Sequence, residues 1–224
     1  KKKKKEEIID ELKLKLDEKE KESEQLKERC LYQQADFENF KKDLGRIEQA
    51  VEKMQNLLKD LLELSRIGRL MNEPVEIKFS EIIKEALNLT DGQIRKMNVA
   101  IEFSDDDHKI YGDRTRLVEV MQNLIDNAIK FMGNQTEPHI RIGTITDSQN
   151  SPTYYVQDNG IGIDTQYNER IFGLFNKLDT NSQGSGVGLS IVKRIIEVHG
   201  GRIWAESEEN RGTVFHLELP VMKA

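Results

Sequence analysis

The sequence predicts an α+β fold, a two-layer α/β sandwich preceded by a long coiled-coil or bundle helix. Three observations predict it. Residues 6–67 contain no proline and a single glycine, Gly45. From residue 75 onward, short β-rich runs alternate with amphipathic helical ones. Composition also shifts along the chain: residues 1–43 are crowded with Lys and Glu, whereas residues 75–224 read as an ordinary globular domain.

The first element is a helix. A seven-residue grid places Ile9, Leu16, Ser23, Cys30, Phe37, Leu44, Val51, Leu58 and Ser65 in one column. Leu12, Lys19, Leu26, Gln33, Phe40, Ile47, Met54 and Leu61 fall in the other. This is the pattern of a parallel coiled coil, interrupted mainly at Ser23, Lys19 and Gln33. Such a helix would run about 90 Å and could not bury its stripe against itself. A partner is therefore required, and a homodimer through residues 6–66 is expected. From Ala50 a third column (Ala50, Leu57, Leu64) widens the apolar face toward that of a bundle. The expected divisions are a coiled-coil helix over 1–43, a bundle helix over 44–68, a linker over 69–75 and a globular domain over 76–224. Gly68 and Pro74 bracket the linker.

Glu76–Phe79 is expected as a strand, with Ser80 capping a helix to about Lys96. Val99–Phe103 and His108–Tyr111 read as strands, and Asp113 caps a helix to about Met132. A hairpin follows, His139–Thr146 and Thr153–Gln157. After an irregular stretch come a helix over Val187–His199 and two strands, Gly201–Ser207 and Thr213–Leu219. Asn210–Gly212 makes the final turn.

Composition narrows the function. The net charge of −6 argues against a nucleic-acid surface. One cysteine, Cys30, leaves no intrachain disulfide or multi-cysteine metal site, which fits a cytoplasmic setting. No run approaches the roughly 18 apolar residues of a membrane span.

Four segments carry chemistry. In "QNLIDNAIKF", Gln122–Phe131, the spacing puts Asn123, Asn127 and Lys130 on one helical face and Leu124, Ile125, Ala128 and Ile129 on the other. Amide oxygens and an ammonium suit Mg²⁺ and phosphate, although an Asn pair alone is more often a solvated face. In "DNGIGID", Asp158 ends a strand and Gly160 and Gly162 permit close backbone approach; alone this reads as a Gly-rich turn. "RIFGLFNKL" places Phe172 and Phe175 three apart on a short helix, by itself a small satellite contact. In "GSGVGLSIVKRIIEVHGG", Gly184, Gly186 and Gly188 lead into a helix whose N-terminus favours an anion. Neither the dinucleotide fingerprint nor the P-loop has this spacing.

In this order the four segments, with "GTVFHLELP" at the end, resemble the N, G1, F and G2 boxes of sensor histidine kinase catalytic domains. That family belongs to the wider GHKL ATPase superfamily, and the resemblance covers residues 75–220. It implies the GHKL-type sandwich with ATP and Mg²⁺ as ligands. Asp158 would accept a hydrogen bond from the adenine amino group, with Thr213 supporting it through a buried water. Asn127 would hold Mg²⁺ beside Asn123, and Lys130 would approach the phosphates. Residues from about Asp164 to Ser185 would form a mobile lid anchored by Phe172 and Phe175. Lys177 would reach the γ-phosphate, and Gly184, Gly186 and Gly188 would cradle the triphosphate. A response-regulator receiver domain is the implied partner.

Residues 44–68 resemble the second helix of the dimerisation and phosphotransfer domain of these kinases. The first helix, with its acceptor histidine, is the departure, because the four histidines are His108, His139, His199 and His216. Instead, "LKERCLYQQADFENFKKDL" resembles the coiled-coil stem of GrpE-type nucleotide-exchange factors. The heptad phase crosses this join unbroken, as in an in-register fusion; a kinase whose acceptor segment lies elsewhere is the other reading. Function thus divides between a histidine kinase module acting on a separate acceptor and an ATP-binding dimeric scaffold without transfer.

Overall fold

The computed structural model describes the chain apart from residue 1 and residues 69–71, 105–107, 147–151, 177–185 and 221–224; for residues 2–11 it describes the backbone alone. Two compact units are present, Lys1–Gln55 and Asn56–Ala224. The described residues of the first all belong to helix α1, Lys2–Arg66. Its predicted stripe is bare within one chain: Leu12, Leu16, Leu26, Phe37, Phe40 and Leu44 are all exposed.

The second unit takes up the end of α1. There the widened apolar face acquires a use, since Leu57 and Leu64 pack against the core and Ile67 is buried in it. Arg116 pairs with Glu63 of the same stretch and with Glu119.

β1 (Val75–Lys78) pairs antiparallel with β3 (Lys109–Gly112). The main sheet has the order β2-β4-β5-β7-β6, built from Ala100–Phe103, His139–Thr146, Pro152–Asp158, Gly212–Glu218 and Arg202–Glu208. β2 and β4 run parallel and the other pairs antiparallel. A parallel pair needs a crossover, and helix α3, Arg114–Lys130, lies within that connection. Alternate strand residues (Ile140, Ile142, Tyr154, Val156, Phe215 and Leu217) are buried in the core shared with the helices. Helix α2 (Phe79–Met97) contributes Ile82, Ile83 and Ala86, and α4 (Gly188–Val198) contributes Ile191, Ile195 and Ile196. This is the two-layer sandwich that the alternation predicts.

Two local expectations meet different outcomes. Ser80 is not the cap of α2: Lys78 occupies that position without a side-chain bond, and Ser80 is buried in the first turn. The Phe79 N–H instead donates to the His108 carbonyl (2.9 Å). A tertiary acceptor satisfies the orphan amide, and the Phe79 ring seats in the core against Tyr154. Asp113 does cap α3, accepting from the Arg116 N–H. It also accepts from the backbone and side-chain amides of Asn72, while its own N–H donates to His199 Nε2 (3.0 Å). Burial pushes the Asp113 carboxyl up, but these bonds more than offset it and hold the group below the ordinary carboxylate range. Among the described residues, no helix is long and apolar enough to cross a membrane.

Candidate functional site

Three of the chemistry-bearing segments meet along the C-terminal half of α3. Asn123 donates through Nδ2 to the Glu119 carbonyl (2.9 Å), which fixes its amide. The opposite amide oxygen lies against the start of α4, because a methyl added at Gly188 would come 2.9 Å from Asn123 Oδ1. Hence the Asn face and the Gly-rich helix start are neighbours, which neither segment shows alone. Asn127 is half-buried one turn on, with no hydrogen bond to its side chain among the described residues. Lys130 lies at the exposed end of the helix, its ammonium 4.7 Å from the centroid of the Phe131 ring.

Asp158 ends β5 and is 6% exposed. Two backbone N–H groups, of Gly160 (2.8 Å) and Thr213 (3.2 Å), donate to the same oxygen, Oδ1. Among the described residues, Oδ2 receives neither bond and stays available to a ligand. Burial raises the carboxyl to about 6, against the opposing effects of those two N–H groups and the nearby His139. An acceptor is thus positioned by backbone alone, in a place where being charged is costly.

The glycines after Asp158 serve packing. A Cβ on Gly160 would lie 2.4 Å from the Phe131 carbonyl, and one on Gly162 would lie 2.0 Å from that of Glu208. Gly162 also has a φ of +69°, which a side chain resists. Their close approaches are to the end of α3 and to the β6–β7 hairpin. Two bonds stitch the same loop in place: Ile161 N–H to Phe131 O (3.0 Å), and Asn210 N–H to Ile161 O (2.7 Å). Asn159 adds a third tie, accepting from the His139 N–H and donating to the Glu137 carbonyl.

The two phenylalanines separate. Phe172, in a single 3-10 turn over Arg170–Phe172, is buried and meets Phe215 edge-on at 6.3 Å. Phe175 lies beyond that turn with φ +60° and is 50% exposed, so it does not share the anchoring. Its N–H donates to the Gly186 carbonyl (3.1 Å), drawing together the residues that flank 177–185. Lys177 and Gly184, with most of the expected lid, lie outside the described residues. Helix α4 begins at Gly188, and its N-cap Val187 offers no side-chain acceptor to the first-turn N–H groups. That end of the helix suits an anion.

Two contributors were not singled out from sequence. Ser207 on β6 accepts from the Ile163 N–H and contacts the Thr213 hydroxyl at 2.9 Å. Asn159 carried no more signal than any other turn asparagine. A buried acceptor, an amide-lined helix face and a helix N-terminus together suit a ligand with an amino-bearing base at one end and phosphates at the other. No three His, Cys, Asp or Glu side chains gather as a metal site among the described residues. A divalent cation here would take an amide oxygen such as that of Asn127 together with phosphate oxygens, a habit of Mg²⁺.

Comparison with known proteins identifies the family and the fold. The family described as Histidine kinase-, DNA gyrase B-, and HSP90-like ATPase matches residues 112–223. The methanogenesis regulatory histidine kinase FilI of Methanothrix harundinacea is 48% identical over 185 residues, 83% of this chain and 21% of FilI. A crystallised catalytic domain of the histidine kinase ThkA is 38% identical, with 96% of it and 66% of this chain covered at a TM-score of 0.57. ThkA in complex with the response regulator TrrA matches at 32% identity and a TM-score of 0.62, covering 78% of this chain and 49% of ThkA. The chain spans between about a fifth and about half of the length of the curated relatives it matches.

Proposed function

The chain belongs to the histidine kinase-, DNA gyrase B- and HSP90-like ATPases, as a sensor histidine kinase catalytic domain, and from that premise we propose that it binds Mg-ATP and delivers the γ-phosphate to a histidine on a separate acceptor. One observation carries the reading. Asp158 is fixed by two backbone N–H groups on Oδ1, with Oδ2 left for a base amino group, and the loop that follows it is tied to the C-terminal end of α3.

Each residue then has a task. Asp158 orients the adenine and Asn127 offers an amide oxygen to Mg²⁺. Asn123, clamped to the Glu119 carbonyl, presents its oxygen beside the phosphates. The α4 N-terminus and Gly186 and Gly188 face the triphosphate, with Lys130, Lys177 and Gly184 completing the charge and the cradle. Mg²⁺ supplies charge neutralisation on the phosphates, and this chain supplies position, which is most of what phosphoryl transfer needs. Dimerisation through the exposed α1 stripe and docking of a response-regulator receiver domain belong to the same proposal. The stripe supports the first, and the ThkA–TrrA complex supports the second.

A second reading, an ATP-holding dimeric scaffold, is favoured by one fact: no histidine precedes His108. Calorimetry with ATP, and γ-labelled ATP supplied with an isolated acceptor domain, separate the two. Binding with label on the acceptor histidine is the expected result. Binding without transfer selects the scaffold, and no binding defeats both.

A further inference from the structure

The β6–β7 hairpin holds a hydroxyl pair whose hydrogens can be assigned by elimination. Ser207 Oγ lies 2.8 Å from the Gly212 carbonyl, 2.8 Å from the Ile163 nitrogen and 2.9 Å from Thr213 Oγ1. A serine hydroxyl has one hydrogen and two acceptor positions. A carbonyl has no hydrogen to give, so Ser207 donates to Gly212. The Ile163 N–H can only donate, and it takes one lone pair of Ser207. The contact with Thr213 is then made by the remaining lone pair, so Thr213 is the donor. Ser207 is saturated, and the Thr213 hydrogen is committed to it.

Thr213 and Asp158 lie on adjacent strands, one step beyond the pair Gln157 and Val214, and the Thr213 N–H donates to Asp158. With its hydrogen turned toward Ser207, Thr213 Oγ1 offers this corner only lone pairs. The ionised Asp158 Oδ2 is likewise an acceptor. We propose that Ser207 is a positioning residue which, by holding the Thr213 hydrogen, leaves the base pocket lined by acceptors and so favours a 6-amino over a 6-oxo purine. This rests on the ATP reading above. A 6-oxo group would face lone pairs on both sides, whereas the two hydrogens of a 6-amino group suit them.

The test compares ATP with inosine triphosphate, which replaces the 6-amino group by an oxo group, in wild type and in Ser207→Ala. Removing the serine hydroxyl frees the Thr213 hydrogen to rotate and donate to the oxo group. The ratio of inosine triphosphate Kd to ATP Kd should narrow roughly three- to tenfold, the range of one hydrogen bond. Part of that change should come from a real gain in inosine triphosphate affinity. Ser207→Thr, which keeps the hydroxyl, restores the ratio. A purely structural serine would weaken both nucleotides equally, and an unchanged ratio with ATP still bound overturns the inference while sparing the ATP reading. If wild type binds neither nucleotide, both fall. Should Ser207→Ala fail to fold, neutron diffraction of deuterated wild type decides the matter. Deuterium between Thr213 Oγ1 and Ser207 Oγ supports the assignment, and deuterium turned toward Asp158 overturns it.

Discussion

Replacing Asp158 by asparagine should make this domain more stable and less able to bind ATP. Asparagine retains an oxygen for the Gly160 and Thr213 N–H groups that now meet Oδ1 at 2.8 and 3.2 Å. What disappears is a buried charge. Burial raises the Asp158 carboxyl from 3.8 to about 6. At about 1.4 kcal/mol per tenfold change in proton affinity, that is about 3 kcal/mol of disfavoured ionisation. The sign follows from which state holds the proton more tightly. The folded state does, so the carboxyl costs nothing below the unfolded value near 4, and the cost grows with pH until it is complete above about 6. Asp158→Asn should thus gain up to about 3 kcal/mol at pH 7.5, and the gain should shrink to nothing as pH falls toward 4. ATP affinity should drop about ten- to a hundredfold, because the amide nitrogen presents a donor to the base amino group where a charged acceptor stood. Wild-type affinity should itself weaken as pH falls through about 6, as Oδ2 takes up a proton. Urea denaturation at pH 7.5 and 4.5, beside calorimetry with ATP, reads all of this. A variant no more stable than wild type at pH 7.5, or one with undiminished ATP affinity, would falsify the account of Asp158 as a strained, ligand-directed acceptor.

Three further outcomes are expected. Leu44→Glu combined with Leu58→Glu should convert a dimer to monomer in sedimentation, because both leucines lie exposed on the α1 stripe and charges in a seam are costly; wild type sedimenting as a monomer at micromolar concentration removes the basis for the dimer. Gly162→Ala should destabilise the domain by about 2 kcal/mol or more, from the left-handed backbone and a Cβ placed 2.0 Å from the Glu208 carbonyl; a melting temperature within a degree of wild type contradicts the packing role. Incubated alone with labelled ATP, the chain should acquire no acid-labile, alkali-stable phosphate. His199 has both ring nitrogens in hydrogen bonds, and His216 is stacked on Trp204 in the sheet; a stoichiometric label on this chain refutes the expectation.

Local sequence carried much of the candidate site's placement, for reasons visible in particular residues. Asn123, Asn127 and Lys130 fall on one face because helical spacing places them there, and α3 starts at Arg114 as the Asp113 cap predicts, ending at Lys130 rather than near Met132. Asp158 was legible as the end of a β run followed by glycines, and so was the α4 start behind Gly186 and Gly188. Equal spacing misled at Phe172 and Phe175, where a single turn ends between them and only the first reaches Phe215. Ser80 misled in the same way, since its capping preference is local and the pull of Phe79 into the core is not.

The sequence by itself determined the class of the molecule: a long helix with an apolar stripe, an α/β sandwich, and four segments whose order resembles that of sensor histidine kinase catalytic domains. The helix and the sandwich follow from periodicity and short-range preference, which act between residues a few positions apart, and the four segments from the resemblance. Only the tertiary structure decided which oxygen of Asp158 is left for a ligand, that Gly160 and Gly162 are needed for packing, and that Asn72, Asp113 and His199 form one node. Asp113 bonds residues 41 and 86 positions away, and Thr213 reaches Asp158 across 55. Such bonds depend on strand register and on the way helices seat against a sheet, and those are settled when the whole core closes rather than by any window of sequence.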